Sequence, residues 1–209
     1  MKFIVIEGPD GAGKTTQVNL AAAVLRKGGH RVLIEREPFD YENIVKDKSG
    51  TPLEVAQRFV NDRAAHVEHM SRLVHAEAQL GRRVDYIICD RYALSTLVYQ
   101  GDACTTLKNK EIIELHNRDD LWVPDLQIVL FARDNFASRV KARDDESYAY
   151  AGTATSISRA YHRFAHVNSD AFAASKGLQV IFGKRNTSVI ASDSVDEVNR
   201  AVMLRIVCA

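Results

Sequence analysis

A glycine-rich segment near the start of the sequence has the residue types and spacing that bind phosphate chains. It reads Gly8-Pro9-Asp10-Gly11-Ala12-Gly13-Lys14-Thr15 and fits the pattern G-x-x-x-x-G-K-[ST]. Its glycines let successive backbone N–H groups turn toward an anion, and the positive end of the following helix points there too. Lys14 is expected to contact the β- and γ-phosphates of a nucleoside triphosphate, and the Thr15 hydroxyl to bind Mg²⁺. The residues assigned to nucleotide binding are Gly8, Asp10, Gly11, Ala12, Gly13, Lys14, Thr15 and Thr16.

A second candidate group follows the apolar run Tyr86–Cys89, where Asp90 and Arg91 stand side by side. An aspartate at such a strand end holds the metal in nucleoside-triphosphate enzymes, usually through water. Arg91 would project into the crevice beyond the carboxyl ends of the strands, where α/β sheets bind ligands. We therefore expect Thr15 and Asp90 at the metal and Lys14, Asp90 and Arg91 in catalysis, although an Asp-Arg pair is also common on surfaces.

Two more acids lie beside the phosphate loop, where a carboxylate would repel a polyphosphate. Asp10 is either an acceptor for a substrate hydroxyl or a solvated loop acid. Glu7 is either a functional carboxylate or an ordinary residue at a strand end.

Short apolar runs alternating with helical patterns indicate the elements that position these residues. This alternation predicts a parallel sheet covered on both sides. We expect one α/β domain over residues 1–209 of the P-loop NTPase class, three-layered (α/β/α) with a five-stranded parallel sheet. Strands are expected at Phe3–Ile6, Val32–Ile34, Tyr86–Cys89 and Leu126–Phe131, with a weaker fifth at Leu178–Phe182.

Capping residues mark the helices. Gly28-Gly29 ends the first helix, and Thr51, Pro52 and Glu54 form the start signal of a long one. The long pattern runs to Leu80, so we expect a kink or a break in it. Helices are expected over residues 15–27, 52–80, 134–141 and 157–174.

Composition excludes several classes of protein. The 209 residues carry 28 Lys+Arg and 27 Asp+Glu, a net charge of +1. This balance leaves no bulk positive charge for binding nucleic acid or a lipid surface. No apolar stretch is long enough to span a membrane, and Cys89, Cys104 and Cys208 lack CxxC spacing. Reduced thiols in a cytoplasmic protein are therefore expected.

Several segments in order along the chain resemble the thymidylate kinase family. They are Phe3–Gln17, Arg36-Glu37-Pro38, Phe59-Val60-Asn61-Asp62-Arg63, Asp90–Gly101 (similar to the DR(Y/H)…S…YQG signature), Pro124-Asp125-Leu126, and Val189–Val198 as a final strand and helix. The resemblance implies transfer of the γ-phosphoryl group of MgATP to the 5′-phosphate of dTMP. It also implies a homodimer, with nucleotides as the only other partners.

The resemblance assigns roles in dTMP binding. Phe59 would stack on the pyrimidine, Arg63 would reach the base edge, and Arg91 with Arg36 would clamp the acceptor phosphate. Asp10 would accept a hydrogen bond from the 3′-hydroxyl. A core position for Phe59, and a solvated helix face for Thr96 and Gln100, stay open. The substrate-binding set is Asp10, Arg36, Phe59, Arg63, Arg91, Thr96, Tyr99 and Gln100. Because these arginines join Lys14, a strongly cationic pocket is expected within a near-neutral chain.

The chain departs from the family pattern in two places. A short lid is expected over about residues 139–155, but its D-R-x-E string is missing. Arg143 is the candidate for neutralising transition-state charge, with Arg139 and Lys141 as reserves, or else an ordinary charged helix end lies here. Pro38 leads into Phe39-Asp40-Tyr41, where Gly-Gly-Thr is common.

Three other functions remain open. A deoxynucleoside kinase would share the loop and the nucleoside pocket but would phosphorylate a hydroxyl. A broader deoxynucleoside monophosphate kinase would be less strict about the base. A nucleotide-binding regulator or a decayed paralogue would bind without turnover.

Overall fold

The computed structural model describes residues 1–47, 49–101, 106–131, 154–165, 175–190 and 194–209. Its strands are β1 (Lys2–Glu7), β2 (Val32–Arg36), β3 (Tyr86–Asp90), β4 (Leu126–Phe131) and β5 (Asn186–Ile190). The helices of this part of the chain are α1 (Lys14–Lys27), α2 (Tyr41–Lys46), α3 (Pro52–Gln79), α4 (Ala93–Gln100), α5 (Thr106–Leu115), α6 (Ala154–Ala165), α7 (Lys176–Phe182) and α8 (Val195–Val207).

The five strands form one parallel sheet in the order β2-β3-β1-β4-β5. The register pairs Ile6 of β1 with Asp90, and Asp90 in turn with Arg36 of β2. The last residues of three neighbouring strands therefore reach the same edge of the sheet. The chain enters the phosphate loop, the segment from Gly8 to Thr15, directly from the central strand at this edge.

Alternate residues of the strands face opposite sides of the sheet, and each side is covered by helices. Phe3 and Val5 belong to a core built with residues of α3, α4, α5, α6 and α7. Ile4 and Ile6 belong to a second core, formed with residues of α1 and α8. The predicted three-layer α/β/α class with a five-stranded parallel sheet is confirmed.

The predicted start of α3 is correct, and of the expected kink or break, the break is wrong. Thr51 accepts from the backbone of Glu54 while the Glu54 carboxylate accepts from Thr51 N, and Pro52 opens the helix. The helix then runs unbroken for 28 residues. No proline or glycine occurs between Pro52 and Gly81, so the sequence supplies none of the usual causes of a break.

The fifth strand does not lie where the apolar run at Leu178–Phe182 predicts it. That run is in α7, whose residue Gly177 packs so closely on α5 that a Cβ would lie 2.3 Å from the Ile113 carbonyl oxygen. The strand is β5, a polar segment at the sheet edge that contains the Val189-Ile190 pair placed in a strand by the family resemblance.

Other predicted boundaries are partly covered by the described residues. The predicted helix at 157–174 is present as α6 up to Ala165. Residues 166–174, the helix at 134–141 and nearly all of the lid at 139–155 lie outside the described part of the chain. None of the described helices is both long and apolar enough to cross a membrane.

Side chains of α3 anchor the segment that follows β2. The Asp62 carboxylate accepts from the backbone N–H groups of Phe39 and Asp40 at 2.7 and 2.8 Å. His66 lies between Glu35 (3.1 Å) and Glu37 (3.4 Å) and stacks on the Phe39 ring. Burial alone would lower the pKa of His66, but the two carboxylates raise it to about 9. The imidazolium therefore stabilises the end of β2 against α3.

Replacing Gly8 by alanine should destabilise the fold strongly. Its φ is +145°, and a Cβ would lie 2.4 Å from the Leu130 carbonyl oxygen of β4. Strain and overlap together should lower the free energy of unfolding by about 3 kcal/mol or more. The control is Gly29→Ala, because Gly29 has φ +87° with nothing within 4 Å and should lose only about 1 kcal/mol. Urea unfolding measures both variants, and equal losses would contradict this account.

The charged state of His66 should make part of the stability depend on pH. Since its pKa is raised to about 9 in the fold, from about 6.5 in an unfolded chain, its contribution is complete below roughly pH 6.5 and is lost as the pH rises through 9. The stability difference between the wild type and His66→Gln should shrink by up to roughly 3 kcal/mol between pH 6 and 10. Urea titrations at each pH test this. His69→Gln is the control, because His69 also packs on Phe39, and a constant difference for His66→Gln would refute the assignment.

Candidate active site

A cavity of about 550 Å³ opens at the carboxyl ends of β1, β2 and β3. Its wall includes every residue that the sequence assigns to the acceptor substrate: Asp10, Arg36, Phe59, Arg63, Arg91, Thr96, Tyr99 and Gln100. The structure thus brings together residues from four separate segments of the chain. Arg139, Lys141 and Arg143 lie outside the described residues.

The phosphate loop lies beside this cavity and holds Lys14 in a buried position. The Lys14 ammonium donates to the Pro9 carbonyl at 2.9 Å and lies 3.8 Å from an Asp10 oxygen. Burial and the nearby charge of Arg91 lower the pKa of Lys14 to about 7. The same ammonium is suited to an anion, because a phosphate would add the negative charge that favours its protonated form.

Thr15 and Asp90 place two oxygens in contact at the start of α1 and the end of β3. The Thr15 hydroxyl donates to Asp90 at 2.5 Å, and Asp90 is buried. The described residues contain no group of three or more His, Cys, Asp or Glu side chains that could hold a metal alone. This pair nevertheless fits Mg²⁺, which binds through one or two protein oxygens together with substrate phosphates and water.

Arg91 is held by side chains of the phosphate loop, α4 and α6. It pairs with Asp10, contacts Ser95 at 3.1 Å and Tyr161 at 3.3 Å, and lies over the Tyr99 ring. Among the described non-glycine residues it alone has positive φ, at 73°. The Asp10 carboxylate also accepts from the Tyr99 hydroxyl at 2.9 Å. Burial would raise the pKa of Asp10, but Arg91 and Lys14 lower it below its ordinary value.

Glu7 is a buried acceptor whose role the sequence left open. Its carboxylate accepts from Tyr92 N (2.7 Å), Ser95 N (3.2 Å) and the Ser95 hydroxyl (2.7 Å), and from Tyr161 of α6 (3.2 Å). Two of these donors are backbone groups at the start of α4, a helix that has no side-chain cap of its own. Burial raises the pKa of Glu7. It therefore caps α4 from a distance, a role that no local sequence pattern reveals.

At the other end of the cavity Arg63 is almost fully buried, with 1% exposure. Its Nε and Nη2 donate to one Glu37 oxygen at 2.9 and 2.6 Å. Nη2 also donates to the Thr96 hydroxyl at 3.1 Å, and Nη1 contacts His116 at 2.9 Å. Sequence reasoning placed Arg63 and Thr96 here but missed Glu37 and His116 as their partners.

The carboxylates change the expected charge of the pocket. Arg91 is paired with Asp10 and Arg63 with Glu37. The strongly cationic pocket predicted from the sequence is therefore largely neutralised. Two of the alternatives left open by the sequence are also decided. Thr96 is buried and so does not lie on a solvated helix face, and Phe59 is half-buried at the cavity wall and so is not a core residue.

One wall of the cavity was missed altogether from the sequence. It consists of α2 and the residue after it, which contribute Tyr41, Ile44, Val45, Lys46 and Asp47. None of the residues of α2 is buried. Arg58 of α3 supports the end of this helix by donating to the Asp47 carbonyl at 3.2 Å. This wall combines apolar and charged side chains and has no motif that would identify it in the sequence.

Comparison with known proteins adds independent information. The sequence model of the family described as thymidylate kinase matches residues 6–201. A thymidylate kinase of Thermomicrobium roseum is 39% identical over 137 residues, 61% of this chain and 61% of that protein. One of Neorickettsia sennetsu is 32% identical over 145 residues, 64% and 71% respectively. One of Gluconobacter oxydans is 29% identical over 186 residues, 85% and 84%.

The matches differ in extent. The aligned part spans 61% of the Thermomicrobium roseum relative but 84% of the Gluconobacter oxydans one. The family match includes the phosphate loop from Gly8 to Thr15, the Asp90-Arg91 pair, and the buried Arg63 of the cavity. Since it extends over residues 6–201, most of the sequence, the chain belongs to the thymidylate kinase family.

Proposed function

We propose that the protein transfers the γ-phosphoryl group of ATP to the 5′-phosphate of dTMP, giving dTDP and ADP. The observation that carries the proposal is the cavity beside the phosphate loop, which is lined by Arg91, paired with Asp10 of that loop, by Arg36, and by the buried Arg63 and Thr96. Membership of the thymidylate kinase family supports it.

The phosphate end of the cavity suits a charged acceptor. Arg91 and Arg36 would hold the acceptor phosphate so that one of its oxygens attacks the γ-phosphorus in line with the departing ADP oxygen. Lys14 and the loop N–H groups would hold the β- and γ-phosphates. Mg²⁺, bound by Thr15, Asp90 and the phosphates, would offset the negative charge of the transferred group. Arg143 of the lid stays the candidate for the remaining positive charge.

The base end of the cavity suits thymine. The O4 of thymine accepts hydrogen bonds, whereas the N4 amino group of cytosine donates them. Arg63 and the Thr96 hydroxyl are donors at this end, and Gln100 offers both a donor and an acceptor. Phe59 lies at the same wall, where an aromatic face can stack on a pyrimidine. The arrangement therefore favours a carbonyl at C4.

A phosphorylated acceptor is favoured over the nucleoside hydroxyl of a deoxynucleoside kinase. A hydroxyl acceptor needs a free general base within reach. Glu7 is fully buried and accepts from backbone and hydroxyl donors, while Asp10 is paired with Arg91. Arg36 and Arg91 together suit an anionic group instead. The homodimer and the cytoplasmic location stay predictions from the sequence.

A substrate comparison tests the proposal directly. Coupled measurement of ADP release with MgATP should give a kcat/KM for dTMP that exceeds those for dCMP, dGMP and AMP by about tenfold or more. The kcat/KM for dUMP, whose base differs less from thymine, should lie between that for dTMP and those for the other nucleotides. Thymidine should give no turnover. Lys14→Ala serves as the inactive control. A preference for AMP or a purine deoxynucleotide would refute the assignment, and activity on thymidine would favour the deoxynucleoside kinase.

The proposed contact between Asp10 and the 3′-hydroxyl can be isolated with an analogue. Asp10→Asn should lower kcat/KM for dTMP roughly tenfold more than for 2′,3′-dideoxythymidine monophosphate, which lacks that hydroxyl. The charge lost beside Arg91 affects both substrates, so only the difference reports the contact. Asp120→Asn, which removes an exposed acid paired with Arg118, is the control. Equal losses on both substrates would place the 3′-hydroxyl elsewhere.

A further inference from the structure

His116 is a buried polar residue that no motif in the sequence identifies. It follows the last residue of α5 and has no solvent exposure. Its ring nevertheless contacts Arg63, the arginine at the base end of the cavity, at 2.9 Å. A buried histidine next to a cation needs an explanation, because it supplies no compensating charge.

The hydrogen-bond partners fix which nitrogen of the ring carries the proton. Nδ1 lies 2.8 Å from the Ile112 carbonyl oxygen, which can only accept, so Nδ1 is the donor. Nε2 faces Nη1 of Arg63, which can only donate, so Nε2 is the acceptor. Burial and the charge of Arg63 lower the pKa of His116 to about 3. The ring is thus a neutral acceptor at any ordinary pH.

The donors of Arg63 can then be counted. A guanidinium has five N–H groups. Nε and Nη2 donate to Glu37, Nη2 donates its second hydrogen to Thr96, and Nη1 donates one hydrogen to His116. One Nη1 hydrogen is left for the cavity that Arg63 lines. Since Thr96 accepts from Arg63, its own hydroxyl hydrogen remains for donation as well.

Glu37 and His116 have different effects on Arg63. Glu37 balances the charge and holds the Nε–Nη2 edge of the guanidinium. His116 holds the opposite nitrogen and fixes the direction of its second hydrogen. Without this acceptor, the rigid guanidinium would be held only through Nε and Nη2 and could tilt about those contacts, so the Nη1 hydrogens presented to a base would be less closely fixed in direction.

We propose that His116 is a positioning residue for pyrimidine specificity. By accepting one Nη1 hydrogen of Arg63, it aims the other, beside the Thr96 hydroxyl, at the substituent on C4 of the base. Two donors aimed at one point favour the O4 of thymine and oppose the amino group of cytosine. This inference rests on the proposed function, since it names a residue that sets the base preference of the same site.

Three variants separate positioning from stability. His116→Phe keeps the ring but removes the acceptor, and His116→Gln restores an oxygen acceptor near the position of Nε2. Ile181→Val trims a fully buried residue of α7 in the same core without removing a polar group. Each variant is assayed for KM and kcat with dTMP and dCMP, for KM with MgATP, and for its thermal unfolding midpoint.

In His116→Phe, KM for dTMP should rise roughly tenfold, and the preference for dTMP over dCMP should fall by a similar factor. KM for MgATP should stay unchanged, with kcat altered much less than KM. His116→Gln should recover most of the preference. Ile181→Val should unfold at lower temperature with its preference intact. A folded His116→Phe variant with the wild-type preference would overturn the inference.

Measurements on the wild type keep the inference testable even if His116→Phe does not fold. With ¹⁵N-labelled histidine, NMR should identify His116 as the neutral tautomer protonated on Nδ1. Saturation with dTMP should shift its Nε2 resonance, and MgATP alone should leave that resonance in place. An Nε2 resonance whose chemical shift does not change on saturation with dTMP would contradict the inference. Failure of the wild type to phosphorylate dTMP would instead refute the proposed function.

Discussion

A carboxylate enclosed without solvent must find donors inside the fold, and the rest of the site is arranged around one such group. Glu7 ends the central strand with no exposure, and its oxygens accept from the start of α4, from Ser95 and from Tyr161. An unpaired acid in this position would cost several kcal/mol. The need to pair it therefore fixes where α4 begins and holds Tyr161 of α6 against the end of β1. In turn, α4 carries Thr96 and the two residues that contact Arg91, Ser95 and Tyr99.

The same principle is repeated at the other end of the cavity with the opposite sign. There the buried ion is the Arg63 guanidinium, and Glu37, Thr96 and His116 come to it from the end of β2, from α4 and from the end of α5. Each end of the cavity thus has an arginine tied to an acid, Asp10 for Arg91 and Glu37 for Arg63. This explains how a chain with net charge +1 builds the proposed nucleotide pocket without a large positive field.

Much of this arrangement can be predicted from the sequence wherever a feature depends on neighbouring residues. The phosphate loop, the capping box of α3 and four of the five strands depend on residues close together in the chain. The run Leu178–Phe182 was wrongly predicted as a strand, because so short and largely apolar a run fits a buried strand and a buried helix equally well. The close packing of Gly177 on α5 favours the helix. The roles of Glu37, His66 and His116 depend on which helix faces meet, and the long-range contacts that determine this leave no local pattern.

The helix α2 forms one wall of the cavity yet buries none of its residues. Asp62 and Arg58 of α3 hold the residues at its two ends, and Arg36 of β2 lies over the ring of its first residue, Tyr41. Insertions and deletions there would leave both cores and the ion pairs of Arg63 and Arg91 intact, as is usual for exposed connections. The chain departs from the usual Gly-Gly-Thr of the family just before this helix. This wall of the cavity can therefore be altered at little cost to stability, whereas the wall at Glu7 and Gly8 is tied to buried contacts of β1, β4 and α4.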